Sequence, residues 1–358
     1  MSPERLHLVV LFGGRSAEHD VSCTTAAHVL RAADPNRYRI TAIGIDRNGQ
    51  WHLAEDAMRA LASGPDALPG RLVPDGPPAG AEVIAATSTD GAPATVVLPL
   101  LHGPLGEDGT VQGMLELLDV PYVGSGVLAS SVSMDKAMAK DVLARHGIAQ
   151  AQWRSVRDDA IGPTTAASLV NELGLPLFVK PANMGSSVGV SKAKSVDEVG
   201  AALRLAFQYD EWAVVEEAIV GREIEVAVLG NRNPKASVPG EIIPGREFYD
   251  YEDKYLEDGA QLLIPAPLSP AESDEVRSLA VRCFEALRCE GLARVDFFLE
   301  TGTGRFLCNE INTIPGFTPI SMYPKMWIAS GMTYTGLIDE LVELALERHT
   351  RRRRNTSR

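Results

Sequence analysis

The chain has 358 residues, more than one ordinary domain of ~100 to 200 residues holds, so two or three domains are expected and a single small binding module is excluded. With 45% hydrophobic and 23% charged residues, its composition is that of a folded globular protein rather than a disordered chain. The 34 Lys and Arg against 47 Asp and Glu leave a net charge of −13, so no chain-wide basic field exists to hold nucleic acid or an anionic membrane, and any phosphate must be gripped locally.

LHLVVLF, from Leu6 to Phe12, reads as a buried parallel strand. The turn GGRSAEHDVS, an amphipathic stretch from Ser22 to Ala33 and the strand YRITAIGID complete a β-α-β unit. The first run is too short for a signal sequence or a membrane span, and no other run approaches the ~20 apolar residues of a spanning helix, so a soluble cytoplasmic protein is expected. Residues 54 to 93 have weak periodicity, ATVVLPLL resumes a buried strand, and PYVG at Pro121 to Gly124 reads as a short last strand. Residues 1–125 are therefore expected to form an open parallel, Rossmann-like α/β sheet.

A helix is predicted from Val127 to Gly147, closed by that glycine. LFVK, VGVSK, AVVEE and EIEVAVLG then follow as short strands, interrupted by helices near 164–173 and 197–209, the pattern of an α+β arrangement with antiparallel pairs. Ser269, Pro270 and Glu272 spell an N-cap, a first-turn proline and a capping-box acid, ahead of a helical face of Val276, Leu279, Cys283 and Leu287. Cys23, Cys283, Cys289 and Cys308 are scattered without a C-x-x-C pair and read as reduced, buried thiols. The boundaries expected are 126–222 for a central unit, 223–350 for a C-terminal unit and 351–358 for a solvated basic tail.

LARVDFFLETGTGRFLCNEIN carries the most chemistry. Two alternating runs flank Thr301 to Gly304, which predicts a β-hairpin turning near 303, with Asp296 opposite Glu310 and Arg294 opposite Asn312 on one face. Directly paired carboxylates ~5 Å apart repel, so a sheet seldom places them there without a cation between; with an amide oxygen they suit Mg²⁺. A second cluster, Lys180 to Gly189, has glycines and hydroxyls that let backbone N–H groups wrap an anion, although the loop alone reads equally well as an ordinary hairpin turn and is no Walker loop.

KPANMGSSVGVSK, VEEAIVGREIEV, ARVDFFL and NEINTIPGFT together resemble the ATP-grasp enzymes. GGRSAEHDVS, LHGPLGEDGTVQGMLELLDVPYVGSG, MDK and EFYDYEDKY narrow the resemblance to the D-alanine:D-alanine ligase family, with the motifs in family order from Gly13 to about Tyr323. The resemblance implies a pre-ATP-grasp N-terminal domain followed by a two-subdomain ATP-grasp fold. It also implies ligation of two D-alanines with ATP and two Mg²⁺ ions, Mn²⁺ able to stand in, for peptidoglycan precursors, in a cytoplasmic homodimer with neither nucleic acid nor membrane as partner.

Residue by residue, the resemblance implies that Lys136 and Lys180 contact the α- and β-phosphates, and that Glu216, Glu217 and Glu223 meet the adenine edge and the ribose. Asp296, Glu310 and Asn312 match the metal ligands, with Glu310 bridging. Glu18 matches the acid that holds the first substrate's ammonium, and His102 a histidine near its carboxylate, although an isolated histidine after a strand also reads as a satisfied turn residue. Arg294 and the Gly316 N–H match the oxyanion stabilisers, while Ser321 and the Met322 N–H match the grip on the second carboxylate. The segment from Glu247 to Asp258 corresponds to a mobile lid: Lys254 joins the ATP contacts, and Tyr255 would bond Ser186, which would bond Glu18. Another ATP-grasp carboxylate–amine ligase, including one that takes D-serine second, is the alternative. A dinucleotide binder is disfavoured because Leu11-Phe-Gly-Gly-Arg-Ser lacks G-x-G-x-x-G spacing.

Overall fold

The run Leu6–Gly13 (β1) has apolar side chains on both faces because both faces are buried, Leu8, Val10 and Phe12 in one core and Val9 and Leu11 in another, while Tyr38–Ile45 (β2) and Thr95–Pro99 (β4) pair with its two edges, both parallel. The computed structural model describes residues 5–86, 94–245 and 260–352. Trp51–Leu53 (β3) adds an antiparallel edge, giving the order β3-β2-β1-β4, while His19–Ala32 (α1) makes the crossover from β1 to β2 and Glu55–Ser63 (α2), Ala81–Ala86 (α3) and Thr110–Leu117 (α4) follow along the chain. Gly13 ends β1 at φ +88°, where a Cβ would sit 2.2 Å from the Ile45 carbonyl oxygen, so only glycine makes this turn. PYVG is not a strand: Tyr122 forms a single bridge to Val97, because the chain is already turning toward the next helix.

The helix expected over 127–147 is two, Val127–Met134 (α5) and Lys136–Arg145 (α6), broken at Asp135. Asp135 leaves the helical region and its carboxylate accepts the Met138 N–H at 3.0 Å, so it is an N-cap. Gly147, at φ +68°, supplies the left-handed residue that ends the second helix. These helices pack with the C-terminal sheet: Ala129, Ala139 and Leu143 share a core with Val226, Val295 and Phe297.

Four antiparallel strands in the order β5-β8-β6-β7 form the central sheet: Trp153–Arg157 (β5), Leu177–Pro181 (β6), Ser191–Ala193 (β7) and Trp212–Glu217 (β8). Thr165–Leu173 (α7) and Val196–Ala206 (α8) cover one face, burying Leu177, Val179 and Val215; Lys180 and Glu216, of opposite parity, look the other way. The C-terminal sheet runs β12-β11-β9-β13-β14 through Gly221–Gly230 (β9), Gly240–Ile243 (β11), Gln261–Leu263 (β12), Gly291–Glu300 (β13) and Phe306–Asn312 (β14), with Lys235–Ala236 (β10) beside β9. Pro270–Ala286 (α9) backs it and has the expected reciprocal capping box; its buried face is Val276, Ala280, Cys283 and Phe284, with Leu279 only partly covered.

Met322–Ala329 (α10) and Tyr334–Arg352 (α11) close the fold against the first sheet, where Leu337, Ile338 and Leu341 share a core with Leu8 and Leu30. The tail expected from residue 351 begins as ordered helix. Arg351 and Arg352 pair with Glu290, and Arg348 is buried, donating to the Gly124 carbonyl at 3.0 Å with its guanidinium 3.8 Å from the Tyr122 ring centre. Acidic partners presented by the neighbouring domain convert these arginines from solvated charges to a strap. All four cysteines are free and buried, as their spacing predicts.

Candidate active site

In the first sheet the chain leaves β1 toward β2 on one side, while β4 lies on the other, so the carboxyl ends of β1 and β4 bound a switch-point crevice. Both motifs of the N-terminal domain emerge there. Glu18 stands at the start of α1 without capping it, so its carboxylate is available to the crevice. It lies close against two glycines: a Cβ on Gly185 would come within 3.1 Å of Glu18 Oε2, and one on Gly103 within 3.4 Å. Ser186 donates its hydroxyl hydrogen bond to Glu18 Oε1, joining the 182–190 loop to the N-terminal domain.

His102, after β4, is 5% exposed. Its Nδ1 lies 3.1 Å from the Ile314 carbonyl oxygen and must donate to it, which leaves Nε2 buried with no hydrogen-bond partner among the described residues. Sequence reasoning passed over Glu107, which sits beside this pair and accepts the Gly103 N–H at 2.7 Å. Burial, then the Glu18 carboxylate, push Glu107 well above the usual carboxylate range.

The hairpin has the expected register at its open end: Arg294 pairs with Asn312 and Asp296 with Glu310. Toward the turn the register shifts by one, to Phe297 with Cys308 and Leu299 with Phe306, so Asn309 is an inserted bulge residue. The physical reason is parity. Phe306, Cys308 and Ile311 all belong to one core, and a strict period of two cannot face 308 and 311 the same way. The bulge places the Asn309 side-chain oxygen 3.3 Å from the Lys180 ammonium, tying the two ATP-grasp sheets together.

Pairing across β9 adds a residue that the hairpin alone did not suggest. Asp296 is opposite Glu310 on one side and Glu225 on the other, so three carboxylates form a transverse row on one face. Arg294 tempers the row: its Nε and Nη2 each donate to Asp296 at 2.7 Å, and Nε lies 3.1 Å from Glu225 Oε2. Burial opposes the charged guanidinium, but Asp296 and then Glu225 outweigh it and hold the Arg294 pKa well above its ordinary value. Asn312 Nδ2 also donates to Asp296, at 3.0 Å. Among the described residues no three His, Cys, Asp or Glu side chains close on a common point.

Lys136, at the start of α6, donates to the Met184 carbonyl at 2.5 Å, and Lys180 donates to Glu216 at 3.3 Å. Ser186 and Ser187 adopt left-handed backbone, at φ +48° and +58°, and the Val188 N–H donates to the Gly185 carbonyl at 3.1 Å, the geometry of a type I′ turn that brings both hydroxyls to the loop tip. Glu223 lies on the carboxylate face of β9, two residues from Glu225. Glu217 is of opposite parity to Glu216, and its carboxylate accepts the Gln152 N–H at 2.7 Å, so its side chain does not join the group.

Ser321 is the N-cap residue of α10 but its hydroxyl bonds Thr318, which leaves the helix's first N–H groups, Met322 among them, to other acceptors. Gly316 passes close by: a Cβ there would meet Ser321 Oγ at 3.1 Å. Lys254 and Tyr255, with the segment read as a lid, lie outside the described residues. Four links, Glu18–Ser186, His102–Ile314, Lys136–Met184 and Lys180–Asn309, thus gather the remaining motifs into one cleft between the three sheets.

Residues 7–125 match the family described as D-ala D-ala ligase N-terminus, and residues 142–343 the D-ala D-ala ligase C-terminus. The D-alanine–D-alanine ligase of Solibacter usitatus is 49% identical over 345 residues, covering 96% of this chain and 97% of that protein. D-alanine–D-alanine ligase A of Escherichia coli is 46% identical over 355 residues, 97% of each. Among solved structures, the D-alanine-D-alanine ligase from Coxiella burnetii superposes with a TM-score of 0.81 at 37% identity, covering 97% of this chain and 96% of that one. The VanG D-Ala:D-Ser ligase from Enterococcus faecalis gives 0.81 at 32%, with coverage of 96% and 100%. With an open parallel sheet followed by the two antiparallel sheets of an ATP-grasp fold, and relatives matched along nearly its whole length, the chain belongs to the D-alanine–D-alanine ligase family.

Proposed function

We propose that the chain joins two D-alanines into D-alanyl-D-alanine for peptidoglycan precursors, converting one ATP to ADP and phosphate, and that the cleft between Glu18, Lys180 and Asp296 carries both half-reactions. One observation supports this most: the carboxylate pair Asp296–Glu310 adjoins a bulge whose Asn309 holds Lys180, so groups for cations and for phosphate stand side by side. The donor set of two carboxylates and an amide oxygen fits a hard divalent ion. Asp296, Glu310 and Asn312 would hold Mg²⁺, which when bound offsets phosphate charge and favours attack at the γ-phosphorus. Arg294 then gives up Asp296 and keeps Glu225.

Glu18 takes the ammonium of the first D-alanine and His102 Nε2 its carboxylate. A carboxylate oxygen attacks the γ-phosphorus as the bond to ADP breaks, giving an acyl phosphate. Ser321 and the α10 N-terminus hold the second D-alanine by its carboxylate. Its amine, once deprotonated, attacks the acyl carbon, and Arg294 with the Gly316 N–H stabilises the oxyanion before phosphate leaves. Lys136, Lys180 and the 182–190 loop hold the nucleotide phosphates, while Glu216 and Glu223 meet adenine and ribose. ATP as co-substrate implies a cytoplasmic site of action.

The test supplies ATP, Mg²⁺ and D-alanine and measures phosphate and dipeptide together. Equal amounts are expected; phosphate without dipeptide overturns the assignment. Offering D-alanine, D-serine and D-lactate in competition as second substrate, from about pH 6 to 9, is expected to yield chiefly D-alanyl-D-alanine, rising with pH as the ammonium deprotonates.

A further inference from the structure

One helical turn beyond Lys136, Lys140 carries a charge into the protein interior. Its side chain is 3% exposed and its ammonium lies 3.6 Å from Glu216 Oε1. That gap is longer than a hydrogen bond, and among the described residues neither the ammonium nor Glu216 Oε1 has a hydrogen-bond partner. On the other side of the same carboxylate, Lys180 donates to Oε2 at 3.3 Å and to Asn309 at 3.3 Å. Packing does not require a lysine here, since Ala137, Ala139 and Leu143 supply the apolar contacts of α6, and desolvating an ammonium is unfavourable unless an opposite charge compensates it. Burial pushes the Glu216 carboxyl up, yet Lys140 and then Lys180 overcome this and hold it below its ordinary value.

The two lysines differ in freedom. Lys180, with its side chain 14% exposed, faces the cleft and shares its ammonium with the hairpin bulge, so it is placed to follow a phosphate. Lys140 is enclosed and has nowhere else to go. We propose that Lys140 is a positioning residue for base recognition: it stays as the counter-ion of Glu216 when Lys180 turns to phosphate, keeping that carboxylate an acceptor for the 6-amino group of a purine. This rests on the reading of Glu216 as an adenine contact. An ionised carboxylate only accepts, so it suits the adenine amine and opposes the 6-oxo group of hypoxanthine; a neutral carboxyl can donate and tolerates both.

The experiment compares dissociation constants of ATP and ITP, by calorimetric titration, for the wild type, Lys140→Met, Lys140→Arg and Glu216→Gln. Wild type is expected to prefer ATP by about tenfold or more, the scale of one charged hydrogen bond. Lys140→Met should lose most of that preference, with ITP affinity changed less than about twofold, while Lys140→Arg retains it. Equal weakening of both nucleotides by Lys140→Met, the signature of structural damage, or an unchanged preference overturns the proposal. Should the methionine variant fail to fold, Lys140→Gln makes the same comparison with a neutral, hydrogen-bonding side chain. Glu216→Gln separates the premise: if it too keeps the full preference, the adenine reading fails; if only Glu216→Gln loses it, the Lys140 inference alone fails.

Discussion

The central and C-terminal sheets, joined by the Lys180–Asn309 hydrogen bond, handle buried charge in opposite ways. On the central sheet and α6, Glu216 sits between two ammonium groups, Lys140 and Lys180, and the local charge is balanced or slightly positive. On the C-terminal sheet Glu225, Asp296 and Glu310 form a row of like charges with the Arg294 guanidinium reaching two of them. The first arrangement is complete in the protein alone. The second gathers like charges side by side, set in that row by strand pairing and the bulge at Asn309.

The largest expected effect comes from the row itself. Glu310→Gln should lower turnover by more than about a hundredfold, while the melting temperature stays level or rises because a like-charge contact is relieved. Asp296→Asn should lose turnover similarly but melt lower, since it forfeits the paired Arg294 hydrogen bonds. Near-normal turnover in either variant at ordinary Mg²⁺ would remove the hairpin from the chemistry. Next comes Glu225→Gln. Without the alternative anchor Arg294 stays on Asp296, so the Mg²⁺ needed for half-maximal rate should rise about tenfold, as supporting groups around a metal site typically show. An unchanged Mg²⁺ dependence would mean that Glu225 serves packing alone.

A smaller effect is expected where the N-terminal domain meets the loop. Ser186→Ala removes the hydrogen bond to Glu18, worth about 1 kcal/mol, so phosphate released per dipeptide should rise several-fold with little change in the KM for ATP. A ratio equal to wild type would show that the contact is incidental. The smallest effect concerns Glu107, whose pKa burial and Glu18 raise. A raised value means that its protonated form is favoured on folding; the stabilisation is complete below the ordinary carboxylate pKa and is lost as pH climbs through the folded-state value. Glu107→Gln should therefore gain melting temperature relative to wild type as pH rises toward neutrality and beyond, by roughly 2 °C. A gap that narrows with pH would reverse the sign of the argument.

Much of this was legible from residues and much was not, for identifiable reasons. Strand β1, the capping box at Ser269 and the Asp296–Glu310 pairing follow from hydrophobic period, cap chemistry and turn placement, all local properties. The bulge at Asn309 left a trace in the sequence, because Phe306, Cys308 and Ile311 break the alternation that a regular strand would keep. Asp135 was absorbed into a single helix from Val127 to Gly147, although an aspartate ahead of a helical run is able to cap it. Glu225 and Lys140 were out of reach: the role of each depends on which strand or helix becomes its neighbour, and periodicity says nothing of that. Arg351 and Arg352 were misread for the same reason, as charges look solvated until Glu290 is brought against them.

A substrate carboxylate is expected to be phosphorylated in this cleft before the peptide bond forms. D-Alanine carrying ¹⁸O in its carboxylate, turned over with ATP and Mg²⁺, distinguishes the possibilities by mass spectrometry of the released phosphate. If the carboxylate attacks the γ-phosphorus and the amine then displaces phosphate from the acyl carbon, each dipeptide formed sends one labelled oxygen into phosphate. Phosphate free of label, with both ¹⁸O atoms of the first D-alanine accounted for elsewhere, would contradict the assignment of Lys180, Arg294 and the hairpin carboxylates to that chemistry.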